Sequence, residues 1–212
     1  MDHKIIEKNV SRETLEYVST LLEGYEKKLS EYTEILLWWN QKINLLSAGV
    51  TKTEIEKHIV HSLFLSICAV IPKKTVLADI GTGGGLPGIP LAICFPDKKF
   101  YLIDRVSKKM AACHDMIQQL QLNNVEVFTG ELKMFHVEHP ISWVSKHAIK
   151  LSELISSTQE QEWDAAFFLK GEDFKEELKE VEIPLKVISY AIDSALSDPF
   201  YRGKRVLQIQ KL

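Results

Sequence analysis

One stretch leaves few folds open to this chain: Val76-Leu77-Ala78-Asp79-Ile80-Gly81-Thr82-Gly83-Gly84-Gly85-Leu86-Pro87-Gly88-Ile89-Pro90, an apolar run carrying an acid, alternating glycines, then a proline-marked helix start. It reads as a β-strand feeding a glycine loop. Gly81, Gly83 and Gly85 tolerate positive φ and carry no Cβ, so the backbone can turn sharply and present bare amides at a helix N-terminus. In the dinucleotide fold such a loop is G-x-G-x-x-G around a pyrophosphate, with an acid about 20 residues further on. Here the spacing is G-x-G-x-G, and Asp79 stands two residues before the first glycine. A carboxylate there repels a pyrophosphate and suits a cationic nucleoside, which favours S-adenosylmethionine over NAD. A second apolar run, Phe100-Tyr101-Leu102-Ile103, closes on Asp104, whose carboxylate at a strand tip can accept hydrogen bonds from both hydroxyls of a ribose. The alternative is a tight strand–helix turn that binds nothing. The ordered set of strand, Asp79, glycines, helix and Asp104 argues against it.

The pattern around this core predicts an α/β fold. Leu15, Val18, Leu22, Tyr25, Leu29, Tyr32, Leu36 and Trp39 recur at intervals of three and four, one apolar stripe on helix that Gly24 breaks in two. Thr53 and Glu56 resemble a capping box for a third helix running towards Ile71, so the first seventy residues read as helical. From Thr75 strands alternate with helices: strands over 75–79, 99–104, 125–128, 141–145, 164–170, 185–192 and 205–210, helices over 86–95, 107–120, 149–156 and 174–180. Such alternation implies a mainly parallel sheet of seven strands covered on both faces. We therefore expect two parts, a helical extension over 1–72 docked on a core over 73–212. In sheets of this kind the ligand lies over the carboxyl ends of the strands.

Composition narrows the function further. With 212 residues, 45% apolar and 26% charged, the chain can bury a large core without metals or disulfides. Cys68, Cys94 and Cys113 read as reduced thiols, and His136 with His139 as a surface loop, so no metal is expected. No apolar run reaches membrane-spanning length and Met1-Asp2-His3-Lys4 lacks a signal-peptide core, which points to the cytoplasm. A net charge of −3 argues against indiscriminate coating of nucleic acid, while Lys73-Lys74, Lys98-Lys99, Lys108-Lys109, Lys146 with Lys150, and Arg202 with Lys204-Arg205 form local basic clusters. Trp38, Trp39, Trp143 and Trp163 read as core or interface residues. Asp198-Pro199-Phe200-Tyr201 mimics the D-P-P-Y element that grips exocyclic amines in amino-group methyltransferases, but it falls between the last two strands and reads as a turn.

The segments Trp39-Asn40-Gln41-Lys42-Ile43-Asn44-Leu45, Lys57-His58-Ile59-Val60-His61-Ser62-Leu63, Asp79 to Leu91, Leu102-Ile103-Asp104 and Leu169-Lys170-Gly171 resemble, in this order, the bacterial small-subunit ribosomal RNA guanine-N7 methyltransferase family, RsmG or GidB. The resemblance implies a Rossmann-like class I methyltransferase fold, S-adenosylmethionine as cofactor, 16S rRNA or the small ribosomal subunit as partner, and a monomer. By analogy Asp79, Gly81, Thr82, Gly83, Gly85, Leu86, Asp104, Arg105, Leu132, Lys133 and Lys146 would hold the cofactor, with Leu132-Lys133 near the adenine. The chain departs from the family pattern in four places. His61 stands where H-x-x-D-S has its acid, Arg105 where L-D-S-x-x-K-R has its serine, Lys133 where A-E or V-E has its glutamate, and Lys146 at an arginine position.

Guanine N7 carries an unshared pair at neutral pH, so methylation needs positioning and no general base. Lys146, His58, Lys170 and Lys57 are therefore expected to hold RNA phosphate or the guanine edge, with the base unstacked or already in a loop. The four departures leave two alternatives: a cofactor-binding homologue acting as an RNA-binding or assembly module without transfer, or a methyltransferase with another substrate.

Overall fold

The computed structural model describes residues 2–68, 76–159 and 161–212. The apolar stripe forms two helices, α1 (Arg12–Gly24) and α2 (Glu26–Asn40). Ser11 caps the first by accepting from the Thr14 amide, and the break falls at Gly24-Tyr25 as the sequence indicates. The capping box of α3 (Lys52–Leu63) is Thr51 with Glu54, one pair earlier than expected, and the helix tightens into a 3-10 turn over Phe64–Cys68. The expected helix end at Ile71, the Lys73-Lys74 pair and the strand start at Thr75 lie outside the described residues.

The remaining elements follow the anticipated alternation: β2 (Val76–Ile80), α4 (Gly88–Cys94), β3 (Phe100–Asp104), α5 (Ser107–Gln119), β4 (Val125–Thr129), β5 (Ile141–Lys146), α6 (Leu151–Ser157), β6 (Trp163–Lys170), α7 (Phe174–Leu178), β7 (Leu185–Ala191) and β8 (Arg205–Lys211). One expectation fails at the start of the chain. Lys4–Asn9 is not helical but forms strand β1, which pairs parallel with β7 from Lys4↔Lys186 to Asn9↔Ala191. Among the described residues the sheet therefore has eight strands, not seven, in the order β1-β7-β8-β6-β5-β2-β3-β4. β1 is exposed at five of its six residues and carries no strict alternation, so its apolar pattern is too weak to announce a strand.

The strand β8 runs antiparallel between β6 and β7, and the other pairings are parallel. That reversal separates this sheet from the dinucleotide-binding one, whose order is 3-2-1-4-5-6. One apolar core packs α1 to α5 on one face, joining Val18, Tyr32, Leu36, Ile55, Ile89 and Met116 to Leu77 and Leu102. The other packs α6 and α7 against Val76, Ala78, Ile80, Trp143 and Phe168. β2 contributes to both cores and is buried throughout, so its carboxyl end is fixed from both sides. Trp143 and Trp163 are core residues as expected, whereas Trp38 is 51% exposed with the Lys42 amine over its ring.

Candidate functional site

The glycine loop is built from the strand it follows. The amides of Gly81 and Thr82 donate to the Ile103 carbonyl at 2.8 and 3.1 Å, turning the chain away from β2 as β3 ends beside it. Gly81 sits at φ +66°, and a Cβ there would lie 2.4 Å from the Ala148 methyl, so only glycine serves. At Gly85, φ +90°, the Ile89 side chain fills the equivalent space. Tyr32, fully buried on α2, donates to the Gly84 carbonyl at 2.8 Å. The N-terminal helices thus clamp the loop from behind.

Asp79 has a different place from the one its charge suggests. It is 0% exposed, and one oxygen accepts from the Thr82 hydroxyl at 2.6 Å and from the Gly88 amide at 2.8 Å. Burial pushes its carboxyl up to about 7 against those two bonds. Its other oxygen has no hydrogen-bond partner among the described residues. Asp79 therefore braces the loop onto the start of α4 rather than facing a ligand, and Thr82 is its partner in that brace.

A cavity of about 640 Å³ opens over the carboxyl ends of β2, β3 and β4, within the roughly 300–1,000 Å³ of small-molecule sites. Ile80 and Gly81 line it from β2, Ile103 to Val106 from β3, Gly130 to Lys133 from beyond β4, and Ala148, Ile149 and Glu153 from the β5–α6 connection. Asp104 is 9% exposed and accepts from the Gly83 amide at 3.2 Å and the Val106 amide at 2.9 Å, one on each oxygen. Each oxygen keeps a lone pair for a further donor. The structure thus brings Gly81, Asp104, Arg105, Leu132 and Lys133 of the expected cofactor set to one wall. Asp79, Thr82, Gly83, Gly85, Leu86 and Lys146 do not line that cavity. Leu86 is a core residue, and the others shape the loop or stand beyond it. Ala148, Ile149 and Glu153 line the cavity unanticipated, because nothing in their local sequence announces a turn folded back onto Gly81.

Lys146 ends β5 beside the end of β2, with Ser145 opposite Ile80. Its amine lies 2.7 Å from His58 Nδ1 on α3, so two of the expected substrate-side residues do meet. Burial, then the charge of Lys204, pushes the Lys146 amine down to about 7, while Asp79 opposes the shift. Burial and the charges of Lys146 and Lys204 push His58 down to about 3, so its ring is neutral. His61, Phe200 and His147 complete the cluster, with His61–His147 centroids 6.2 Å apart. His61 is fully buried, and neither ring nitrogen has a partner among the described residues.

Lys170 and Lys57 must be reassigned. The Lys170 amine is buried and donates to the Ile149 carbonyl at 2.7 Å and to both oxygens of Glu177 at 2.8 and 2.9 Å. A lysine so occupied holds the β5–α6 connection in place and has no donor to offer RNA without breaking a buried pair. Lys57 pairs with Asp198 at 2.8 Å. Asp198 in turn caps the 3-10 turn Pro199–Tyr201, which is the turn the D-P-F-Y run suggests. That turn also delivers Phe200 to within 5.0 Å of His58, ring centre to ring centre. Phe200 was thus hidden in a motif whose turn was legible and whose destination was not.

The fold is that of class I S-adenosylmethionine-dependent methyltransferases. Magnesium protoporphyrin IX methyltransferase from Synechocystis PCC 6803, solved with bound S-adenosylmethionine, aligns with a TM-score of 0.56 at 13% identity, over 82% of this chain and 91% of that one. A family model described as rRNA small subunit methyltransferase G matches residues 25–196, and the chain belongs to that family. Relatives called ribosomal RNA small subunit methyltransferase G include one from Chlorobaculum tepidum, 40% identical over 72% of this chain and 71% of its own length. Another, from Flavobacterium johnsoniae, is 30% identical over 93% and 96%. Among the described residues no helix is long and apolar enough to cross a membrane, and no group of side chains is arranged to hold a metal.

Proposed function

We propose that this protein transfers a methyl group from S-adenosylmethionine to N7 of a guanine in 16S rRNA. The observation that carries the reading is Asp104, held by the amides of Gly83 and Val106 on the wall of a 640 Å³ cavity that Gly81 also lines. Its remaining lone pairs suit the two ribose hydroxyls, and Leu132 with Lys133 sits where an adenine would lie. Glu153 gives the same cavity a carboxylate for the cationic end of the ligand, while Glu131 is paired with Lys133. Asp79, Thr82, Gly83 and Gly85 act one step back, by fixing the loop.

Held by Asp104 and Gly81, S-adenosylmethionine would supply an electrophilic methyl on a sulfonium sulfur, which the guanine N7 lone pair would take while the C–S pair went to sulfur and the positive charge to the base. No proton has to be removed first, so no general base is required. Lys146 and His58 position the acceptor, Lys146 by its ammonium form against phosphate or the base edge. Alignment of this kind can contribute about 7–11 kcal/mol in favourable intramolecular cases. The β5–α6 connection, locked by Lys170, keeps Ala148 against Gly81 so that the cavity holds its shape.

The test is to incubate purified protein with labelled S-adenosylmethionine and small ribosomal subunits, then map the modified nucleotide. Label at N7 of a 16S guanine supports the proposal. Label elsewhere means another substrate, and bound cofactor without transfer means an RNA-binding or assembly protein.

A further inference from the structure

His58 joins two cavities. Through Lys146 it is tied to the end of β5, whose following residues Ala148 and Ile149 line the cofactor cavity. His58 itself lines a second cavity of about 120 Å³, bounded by the Ser47–Val50 turn, Glu54 and Phe200. That volume is about four times a water's ~30 Å³ share of liquid, room for one heterocycle. Its walls are preformed. Asn40 Oδ1 accepts from the amides of Leu45 and Leu46 at 3.0 and 2.7 Å, and its amide donates to the Ser47 carbonyl at 3.2 Å. The Val50 amide donates back to Ser47, and Gly49 takes φ +75° to close the turn. The Leu45 carbonyl lies 3.6 Å from where a Gly83 Cβ would be, so the same turn packs on the glycine loop.

The chemistry of the walls is selective. Glu54 and His58 stand one helical turn apart on α3 and face the same way. Bonds from the Thr51 amide and hydroxyl hold Glu54 below the usual carboxylate range, so it is ionised and can only accept. The neutral His58 ring takes the Lys146 amine at Nδ1; with that amine donating, Nε2 carries the ring proton and is a donor. Phe200 supplies an aromatic wall, with the Lys204 amine 3.2 Å from its ring centre.

We propose that this second cavity is the subsite for the acceptor base and that it selects guanine, Glu54 Oε1, the oxygen that Thr51 leaves open, accepting from the N1–H and exocyclic amine and His58 meeting the O6 side. The assignment rests on the methyl-transfer reading above and deepens it. It sets N7, on the edge away from N1, towards His58, Lys146 and the glycine loop. Adenine offers Glu54 a ring acceptor at N1, which a carboxylate repels.

The decisive measurement is a titration of isotope-labelled protein, saturated with S-adenosylhomocysteine, with GMP, IMP and AMP, following backbone amides by NMR. GMP is expected to shift Ser47–Val50 at concentrations at least fivefold below AMP, with IMP between them. Glu54→Gln, which retains a residue able to serve in the capping box, should erase the preference. Phe200→Leu should raise KM for small subunits about tenfold while cofactor Kd stays unchanged. Equal shifts with GMP and AMP, shifts confined to the larger cavity, or no shift with any nucleotide would overturn the subsite. If the wild-type protein methylates subunits while E54Q and F200L keep its KM, the subsite fails and the methyl-transfer reading stands. If the wild type transfers nothing, that reading fails, and the titration still decides the subsite.

Discussion

The two cavities beside the glycine loop are made in opposite ways. The larger is walled by consecutive residues at strand ends, Ile103 to Val106 and Gly130 to Lys133, and its key carboxylate is pinned by two backbone amides. The smaller draws on α3, the turn after α2 and the β7–β8 connection, and its neighbouring bases are buried with depressed proton affinity. The first holds its key carboxylate by main-chain amides and leaves each oxygen a lone pair. The second presents side chains, Glu54 and the His58 ring, whose polar atoms come from a helix face. A cofactor common to every turnover suits the first; a macromolecular substrate that must arrive and leave suits the second.

The contrast can be broken most forcefully at Lys170. If it locks the larger cavity, Lys170→Met leaves the partly buried Glu177 without its lysine and costs about 3 kcal/mol, the upper end for bonds to a charged group, read as a drop in the urea midpoint. A stable variant that fails only in RNA binding would return Lys170 to the substrate side. Next is Asp104→Ala, which removes the acceptor for two amides and for the ribose. Cofactor affinity by calorimetry should fall about 100-fold, at roughly 1.5–3 kcal/mol per bond to a charged group. Lys146→Ala should separate the regions: kcat/KM for small subunits falls about tenfold, at the low end of a charge-assisted contact, while cofactor Kd stays within error. Equal loss of both would merge the two cavities into one functional unit. Gly81→Ala should cost about 1–3 kcal/mol by overpacking against Ala148, and Ala148→Gly in the same chain should recover part of it in thermal melts.

The smallest effect is on pH. Lys146 holds its proton below about pH 7 and loses it above. A contact that needs the ammonium is therefore present on the acid side and fades as pH rises through 7, so kcat/KM for RNA should decline by a few fold between pH 6 and 8. Lys146→Arg, always protonated, should flatten that limb. A profile unchanged by the arginine would remove Lys146 from the contact.

What the sequence disclosed follows the same division. Strands β2 to β8 and their helices were legible because full burial and helical stripes leave periodic marks, and Asp104 was legible because it ends such a strand. β1 was not, since an edge strand with five exposed residues has no buried face to mark it. At the site, the bonds of Asp79 and Lys170 were not legible: the glycine-loop acid accepts from Thr82 and Gly88, and the lysine donates to Glu177 and Ile149. Phe200 and Glu54 reach their cavity from residues far apart in sequence, and no spacing rule records that meeting.

The pairing of β1 with β7 has a consequence for how this chain is made. Lys4–Asn9 is synthesised well before the strand it docks on, Leu185–Ala191. Until Leu185–Ala191 has left the exit tunnel, that early segment has no sheet edge to join, and closing so long a loop is a late, entropically costly step. This outermost ladder of the sheet can zip only once Leu185–Ala191 and everything between it and Asn9 has been laid down.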